Sequence, residues 1–335
     1  MSDPNLLRNQ QSDLVGDDLR AGTRADAIEI TGTTQVAPRD EDARSLGRDA
    51  WEDLRRRPGF WISSSLIVIM LMMAIAPTLF TFFSPQPDPT FAQLAKARQP
   101  PSTEAWFGYD GQGYDVYSRT IFGARASILV GVLTTVGTIL IGGTIGLLAG
   151  FYGGWLDSLL SRTGEIFWSI PLLLGGVLFM TTFPSELGTP YMIVVGKVVL
   201  VLTLLGWPRI ARIMRSAVLQ VKPLDYVQAA RALGATPFQI ITKHVLPNAF
   251  TPVIVVATID LGAYIATEAT LSFLGIGLQP PTISWGIAIS EASGLGLLRS
   301  APHMLLFPSI FLSITVLAFI MLGDAVRDAF DPKGR

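Results

Sequence analysis

The chain has 335 residues, of which 50% are hydrophobic and 15% charged, and its formal net charge is −1. Soluble domains average about 25% charged residues, and here the deficit falls in long uncharged runs, which indicates a polytopic membrane protein. The near-zero charge gives no indication of a nucleic-acid partner. The lack of cysteine excludes disulfides and thiolate metal sites, and two histidines argue against a His-based metal centre, although carboxylates alone could bind a cation.

The N-terminal part divides into a polar tail and a first membrane segment. Residues 1–50 are polar and lack apolar periodicity, which predicts a disordered tail rather than a signal peptide. Residues 51–120 contain an uncharged run, Phe60 to Phe83, that is long enough to span a bilayer, and a Pro-rich and aromatic loop at 84–120. The basic cluster Arg55 to Arg57 predicts that this span starts in the cytoplasm and that the loop is external.

Five further apolar segments in residues 121–335 predict a five-helix core and, with the first span, an all-α polytopic fold of six transmembrane helices. Gly142, Gly146 and Gly150 recur every four residues, so they share one helix face and should allow close packing against a neighbour. Pro171 predicts a kink in the third helix. The five predicted segments are 126–151, 159–183, 191–207, 248–273 and 304–322.

The loop between the fourth and fifth segments is the most basic in the chain. The fourth helix is expected to continue beyond the bilayer through Arg209, Arg212 and Arg215, which share one face. Positive charge marks cytoplasmic loops, so we expect this loop in the cytoplasm and, with six spans, both termini there as well. The other basic residues of the loop are Lys222, Arg231 and Lys243.

Residues 222–247 of this loop cannot be a membrane segment, and we call them the knob. Pro223 and Asp225 suit the first turn of a short helix, and Gly234 suits its left-handed end. Between them, small helix-forming residues predict a stiff segment. A membrane protein that holds such a segment outside the bilayer is expected to present it to a partner.

A second short helix is predicted in the same segment. Thr236 and Gln239 have the spacing of a capping box, with Pro237 at the first helical position. Leu246-Pro247 is expected to end this helix, because proline lacks an N–H group.

The fifth segment carries three polar residues, Asp260, Tyr264 and Glu268, at four-residue intervals along one stripe. Ionisable groups inside a span usually face a bundle interior or an aqueous cavity. The stripe therefore predicts either the lining of a solute path or structural hydrogen bonds to a neighbouring helix. Lys197 is a candidate partner for either carboxylate, or it extends to the outer membrane surface.

The knob resembles the EAA loop of ABC importer permeases, which has Glu-Ala-Ala, a Gly four residues later and a final Leu-Pro. The matching residues are Gln228-Ala229-Ala230, Gly234 and Leu246-Pro247. Gln228 departs from the usual Glu, which removes a charge but keeps hydrogen-bonding capacity. His244 departs from the general pattern, yet the His-Val-Leu-Pro-Asn ending is similar to the peptide-transporter branch.

A second stretch is more specific for that branch. Leu271 to Gly275, followed by Gln279-Pro280-Pro281 and Ser284-Trp285-Gly286, closely resembles peptide permeases, specifically the C-type permease of the peptide/nickel family. The resemblance covers residues 51–335. It implies an ABC importer type I permease fold and uptake of di- or oligopeptides across the cytoplasmic (inner) membrane.

The resemblance also implies the partners. These would be a second homologous permease subunit, two cytoplasmic ATPase subunits that use ATP and magnesium, and an extracytoplasmic solute-binding protein. By the resemblance the chain itself would be neither an enzyme nor a cofactor protein, because ATP would be hydrolysed in the partner subunits. The sequence has no G-x-x-x-x-G-K-[ST] loop, so it does not bind ATP by that motif. The resemblance also implies a coupling helix that contacts an ATPase subunit. The contact residues would be Asp225, Tyr226, Gln228, Ala229, Ala230, Arg231, Gly234, Leu246 and Pro247.

The residues alone leave other classes of protein and other solutes open. A secondary transporter driven by an ion gradient would use Asp260 and Glu268 as ion sites and would need no knob. An intramembrane hydrolase is disfavoured, because the sequence has neither G-x-S-x-G nor H-E-x-x-H. Within the resemblance, glutathione and nickel complexes are alternative solutes.

Overall fold

The computed structural model describes residues 46–186 and 188–330, and within them it is helical, with two isolated bridges as its only β pairing. Of the predicted disordered tail, residues 1–45 lie outside the described residues, whereas 46–50 belong to the first helix. The N-terminal helices are α1 (Leu46–Arg56), α2 (Pro58–Ile75), α3 (Pro77–Thr81), α4 (Val116–Tyr152), α5 (Gly154–Trp168), α6 (Leu172–Thr182) and α7 (Tyr191–Val221). The remaining helices are α8 (Asp225–Ala232), α9 (Pro237–Ile240), α10 (Leu246–Ala249), α11 (Thr251–Phe273), α12 (Trp285–Ala292), α13 (Leu295–Ser300) and α14 (His303–Phe330).

Five described helices, α2, α4, α7, α11 and α14, are long and apolar enough to cross a membrane, and α5 with α6 passes the same test as a bent pair. The two members of the pair meet at 78°. Pro171 precedes α6 and cannot continue the backbone hydrogen bonds of α5. The predicted kink at Pro171 is therefore confirmed, although the third segment is two helices rather than one bent helix.

Two contacts show that the bent pair crosses the membrane rather than turning back. Arg57 Nη1, before α2, lies 2.9 Å from Asp328 Oδ2 near the end of α14, so these ends lie on one side of the bundle. Lys222 Nζ, after α7, likewise donates to the carbonyl oxygen of Phe151 near the end of α4 at 2.6 Å. Each contact requires an even number of crossings between the joined ends. The five continuous spans satisfy this only if the pair adds a sixth.

The face of α4 that carries the four-residue glycine repeat packs against α7. A Cβ added at Gly142 would lie 3.0 Å from the backbone nitrogen of Ala211, and one at Gly146 would meet the carbonyl oxygen of the same residue. A Cβ at Gly150 would lie 2.9 Å from Val218 Cβ. The glycines thus bring the two backbones together, and the packing role predicted for them is confirmed.

The end of the bundle opposite the knob is closed by an ion-pair cluster. Arg119, in the first turn of α4, contacts Asp110 at 2.8 Å and Glu291 of α12 at 3.5 Å. Its guanidinium also lies over the ring of Tyr114, 4.7 Å from the centroid. Burial raises the pKa of Glu291, while Arg119 opposes that shift. The cluster joins the loop before α4 to the segment between α11 and α14.

Candidate coupling and translocation sites

The first helix of the knob starts slightly later than the sequence predicted. Pro223 lies before α8, and the helix begins at Asp225 with Leu224 as its cap residue. The start of α8 is determined by the end of α7 and not by Pro223. A tight turn follows α7, in which Leu224 donates its backbone N–H to the carbonyl oxygen of Val221. Asp225 still lies in the first turn, where its negative charge interacts favourably with the helix dipole.

The predicted end of α8 and start of α9 are confirmed. Gly234 has φ +84°, a conformation that residues with a Cβ rarely adopt. Thr236 and Gln239 form the capping box reciprocally: Gln239 N donates to Thr236 Oγ1 at 3.3 Å, and Thr236 N donates to Gln239 Oε1 at 2.9 Å. These bonds define the start of α9.

The prediction that Leu246-Pro247 ends the second helix is wrong. After α9 the chain forms a π-helical turn, Ile241–Val245, and continues directly into α10. Pro247 lies in the first turn of α10, where a backbone N–H needs no partner inside the helix. The wider turn before it interrupts the regular hydrogen-bond ladder and so accommodates the proline.

The knob has two faces. Its inner face, formed by Val227, Ile240 and Val245, is buried in one apolar cluster with residues of α7. Its outer face exposes Leu233 and Phe238 strongly and Tyr226 to a smaller extent. The predicted contact residues Asp225, Gln228, Ala229, Arg231, Gly234 and Pro247 are also exposed, whereas Ala230 and Leu246 are half-buried.

Two polar contacts connect α8 to the membrane-spanning helices. Gln228 Nε2 donates to the carbonyl oxygen of Lys222 at 2.9 Å. Lys222 in turn donates to Phe151 of α4, as described above. The two bonds link α8, through Lys222, to the ends of α4 and α7, which pack together along their glycine face.

The structure separates the three residues of the polar stripe. Asp260 Oδ1 lies 3.1 Å from Arg209 Nη1, and both residues line a cavity of about 260 Å³ together with Tyr264. Glu268 is fully buried, does not line that cavity, and accepts a hydrogen bond from Ser272 Oγ at 2.7 Å. Ser272 Oγ also accepts from the backbone N–H of Leu278, so Glu268 belongs to a polar cluster that holds the turn after α11.

Lys197 does not pair with these carboxylates. Its Nζ donates to the carbonyl oxygen of Pro184 at 3.0 Å and lies 3.3 Å from Ser185 Oγ. The side chain thus extends along α7 to the turn after α6, and its extension to the outer membrane surface stays a prediction.

Sequence reasoning missed the role of the three arginines on α7. Arg209 pairs with Asp260, Arg212 lies over the ring of Trp168 at 5.0 Å, and Arg215 Nη2 contacts Asp157 Oδ2 at 2.7 Å. Their three-residue spacing shows that they share a face. It does not show that the face points at α5 and α11, because that depends on how the helices pack.

Comparison with known families identifies the class. Residues 142–335 match the model of the binding-protein-dependent transport system inner membrane component, and residues 45–101 match that of the N-terminal TM domain of oligopeptide transport permease C. The chain belongs to the first family and is an inner-membrane permease subunit of an ABC importer, with the type I permease fold. In this family ATP hydrolysis lies in partner subunits, and a solute-binding protein and a further permease complete the transporter.

Individual relatives place the chain in the oligopeptide and dipeptide branch. It is 38% identical to the oligopeptide transport system permease protein OppC of Bacillus subtilis (strain 168), covering 87% of this chain and 91% of that protein. Identity to the dipeptide permease DppC of the same organism is 38%, covering 87% of each chain. Identity to the glutathione permease GsiD of Pectobacterium atrosepticum is 34%, covering 88% of this chain and 94% of the relative.

A solved structure shows a related fold. An inward-facing conformation of the MetNI methionine ABC transporter matches with a TM-score of 0.50 at 24% identity, covering 63% of this chain and 96% of that one. This likeness concerns the fold alone. The family match makes the permease assignment preferable to an ion-gradient transporter.

Proposed function

We propose that this chain imports short peptides as one of two related six-helix subunits, with the knob as the contact for one of two ATPase subunits that use ATP and magnesium. The observation that carries the proposal is the two-faced knob. Its inner face is fixed by burial, and its outer face exposes Leu233 and Phe238, with 88% and 73% of their surface accessible. Large apolar side chains on a rigid protrusion are typical of a protein-binding surface.

The orientation follows from charge. The ends of α2 and α14 that meet through Arg57 and Asp328 carry Arg55 and Arg56 beside them, and the knob contributes Arg231 and Lys243. Positive residues are retained in the cytoplasm. We therefore propose that both termini and the knob are cytoplasmic and that the cluster around Arg119 is external.

The surface proposed to line the solute path is the one that carries a charged pair within the membrane-spanning region. Asp260 lies about 14 Å along the 23-residue helix α11, inside a segment of bilayer length, and it pairs with Arg209, which the sequence predicted beyond the bilayer. Nearly half of the Arg209 side chain, 49%, is exposed. A cation facing lipid at this depth costs about 2.5–3.5 kcal/mol, so this surface is expected to face an aqueous path shared with the second permease.

The three predicted path residues then divide into two groups. Asp260 and Tyr264 line the path beside Arg209, which is one of the two roles that the polar stripe left open. For Glu268 the geometry supports the structural alternative, because its carboxyl group is enclosed and bonded to Ser272.

Peptides are the proposed solutes because two relatives at 38% identity are named as oligopeptide and dipeptide permeases. Glutathione, itself a tripeptide, is the second candidate, since a relative at 34% identity is named as a glutathione permease. The solute-binding protein is expected to choose between them.

Co-purification tests the proposal. The tagged chain should bring down a second permease and two ATPase chains, and the assembled transporter should take up radiolabelled dipeptides with ATP. Leu233→Asp should remove the ATPase chains, because it places a charge in the apolar contact. Leu295→Asp on α13 is the matched control, since Leu295 is 83% exposed but lies outside the knob. Equal ATPase recovery from both variants, or uptake by the chain without ATP, would overturn the proposal.

A further inference from the structure

The cavity beside the polar stripe lies where a membrane helix is broken. It is bounded by the junction between α5 and α6, by α7 and by α11, and holds about 260 Å³. Apart from Arg209, Asp260 and Tyr264, its lining is mainly apolar and includes Trp168 and Leu205. A few polar groups in an apolar pocket are typical of a site that orients a small ligand.

The guanidinium of Arg209 is only partly used. Its Nη1 lies 3.1 Å from Asp260 Oδ1, and its side chain is 49% exposed, whereas the carboxylate is 4% exposed. A guanidinium has five N–H donors and binds a carboxylate most strongly through two of them. The exposed side of Arg209 is therefore open to a second anionic acceptor.

The start of α6 adds positive potential to the same cavity. Leu172, the first residue of this 11-residue helix, lines the cavity, and the cap residue Pro171 provides no side-chain cap. Helix N-termini carry a partial positive charge from their free N–H groups. Broken membrane helices commonly direct such ends at anionic groups of the solute.

The carboxylate of Asp260 has an unused acceptor. Its Oδ2 atom is buried and has no hydrogen-bond partner among the described residues. Oδ1, 3.1 Å from Nη1, holds the guanidinium beside the cavity and gives Arg209 a counter-charge inside the bundle.

We propose that this cavity is a transient subsite for the C-terminal carboxylate of a peptide in transit, an inference that rests on the proposed peptide import. Arg209 and the N-terminal turn of α6 bind the carboxylate, Asp260 is a positioning residue for Arg209, and the apolar wall contacts the last side chain of the peptide. The permease thereby distinguishes peptides with a free C-terminus from blocked ones, independently of the solute-binding protein.

The test measures binding without the solute-binding protein. The purified permease–ATPase complex in lipid nanodiscs is titrated with the dipeptide Ala-Phe or with its C-terminal amide, and binding is followed by ligand-observed NMR. Wild type should bind the free acid about tenfold more tightly than the amide, as expected for one charge-assisted contact. Arg209→Gln should bind both equally, and Arg209→Lys should keep a reduced preference, because lysine has the charge without the planar fork. Asp260→Asn should weaken the preference without removing binding of the amide.

Arg162→Gln is the control, because Arg162 forms an exposed pair with Glu165 away from the cavity. The subsite is refuted if wild type binds neither ligand, binds both equally, or keeps its preference in Arg209→Gln. Peptide uptake by the complete transporter distinguishes failure of the proposed subsite from failure of the proposed peptide import. Normal uptake with no preference refutes the subsite alone, whereas no uptake of any peptide refutes the proposed function.

Discussion

Gln228 donates from Nε2 to the carbonyl oxygen of Lys222 at 2.9 Å and so ties the first helix of the knob to the end of α7. The residue stands where EAA loops usually have Glu. An ionised Glu cannot donate a hydrogen bond. Gln228 therefore makes an internal hydrogen bond that an ionised Glu at the same position could not make.

Gln228→Glu is expected to loosen the knob, because two acceptors would then face each other. The lost bond and the repulsion amount to about 1–3 kcal/mol locally. Hydrogen exchange across 225–233 should become faster, and ATPase stimulation by loaded binding protein should fall. Gln279→Glu is the matched control: Gln279 also donates to a backbone carbonyl, that of Gly275 at 3.0 Å, but outside the knob. Unchanged exchange in Gln228→Glu would contradict the prediction.

Gly234→Val should uncouple ATP hydrolysis from uptake while the spans stay folded. Nothing lies within 4 Å of a Cβ built at Gly234, so the cost comes from φ +84° alone, about 1–3 kcal/mol for a β-branched residue. Gly188→Val is the control, since Gly188 has φ +92° and equally open surroundings in the turn after α6. We expect normal detergent-stable yield for both variants and loss of uptake only for Gly234→Val. Uptake at the wild-type rate in that variant would show that the left-handed turn is dispensable.

Gly146→Ala should impair folding of the membrane domain. The added methyl group would meet the carbonyl oxygen of Ala211, a backbone atom that cannot move without separating α4 from α7. Over-packing of this kind costs about 1–3 kcal/mol or more. The folded yield on size-exclusion chromatography should drop and the melting temperature should fall. Gly196→Ala provides the comparison, because Gly196 lies in α7 with open space around it and alanine favours a helix. Equal stability of the two variants would argue against close packing.

Glu268→Gln and Glu268→Leu should behave differently. Gln keeps an oxygen that accepts from Ser272 Oγ, whereas Leu leaves the buried hydroxyl without that partner and costs about 1–3 kcal/mol. We expect near-normal uptake with Gln, and with Leu a lower melting temperature and less folded protein. Uptake and thermal unfolding of both variants check this. If Gln abolishes uptake at normal folded yield, the charge of Glu268 acts in transport and the structural assignment is wrong.

The sequence by itself determined the class of protein, the number of spans and the chemistry of the knob. These features are local: apolar runs have the length of a bilayer, Gly234 marks a left-handed turn, and Thr236 with Gln239 forms a cap within one turn. Local backbone geometry also explains the break at Pro171. The continuation through Pro247 was missed, because a π-helical turn reflects packing rather than composition.

Only the tertiary structure decided which polar groups meet. Asp260 and Glu268 look equivalent on one stripe, yet one pairs with Arg209 beside a cavity and the other is enclosed with Ser272. The difference depends on the crossing of α7 and α11 and on the turn after Phe273, which bring together residues far apart in the chain. Helical periodicity fixes the face on which a residue lies, but the helices packed against that face decide whether it meets water, an ion partner or a hydroxyl.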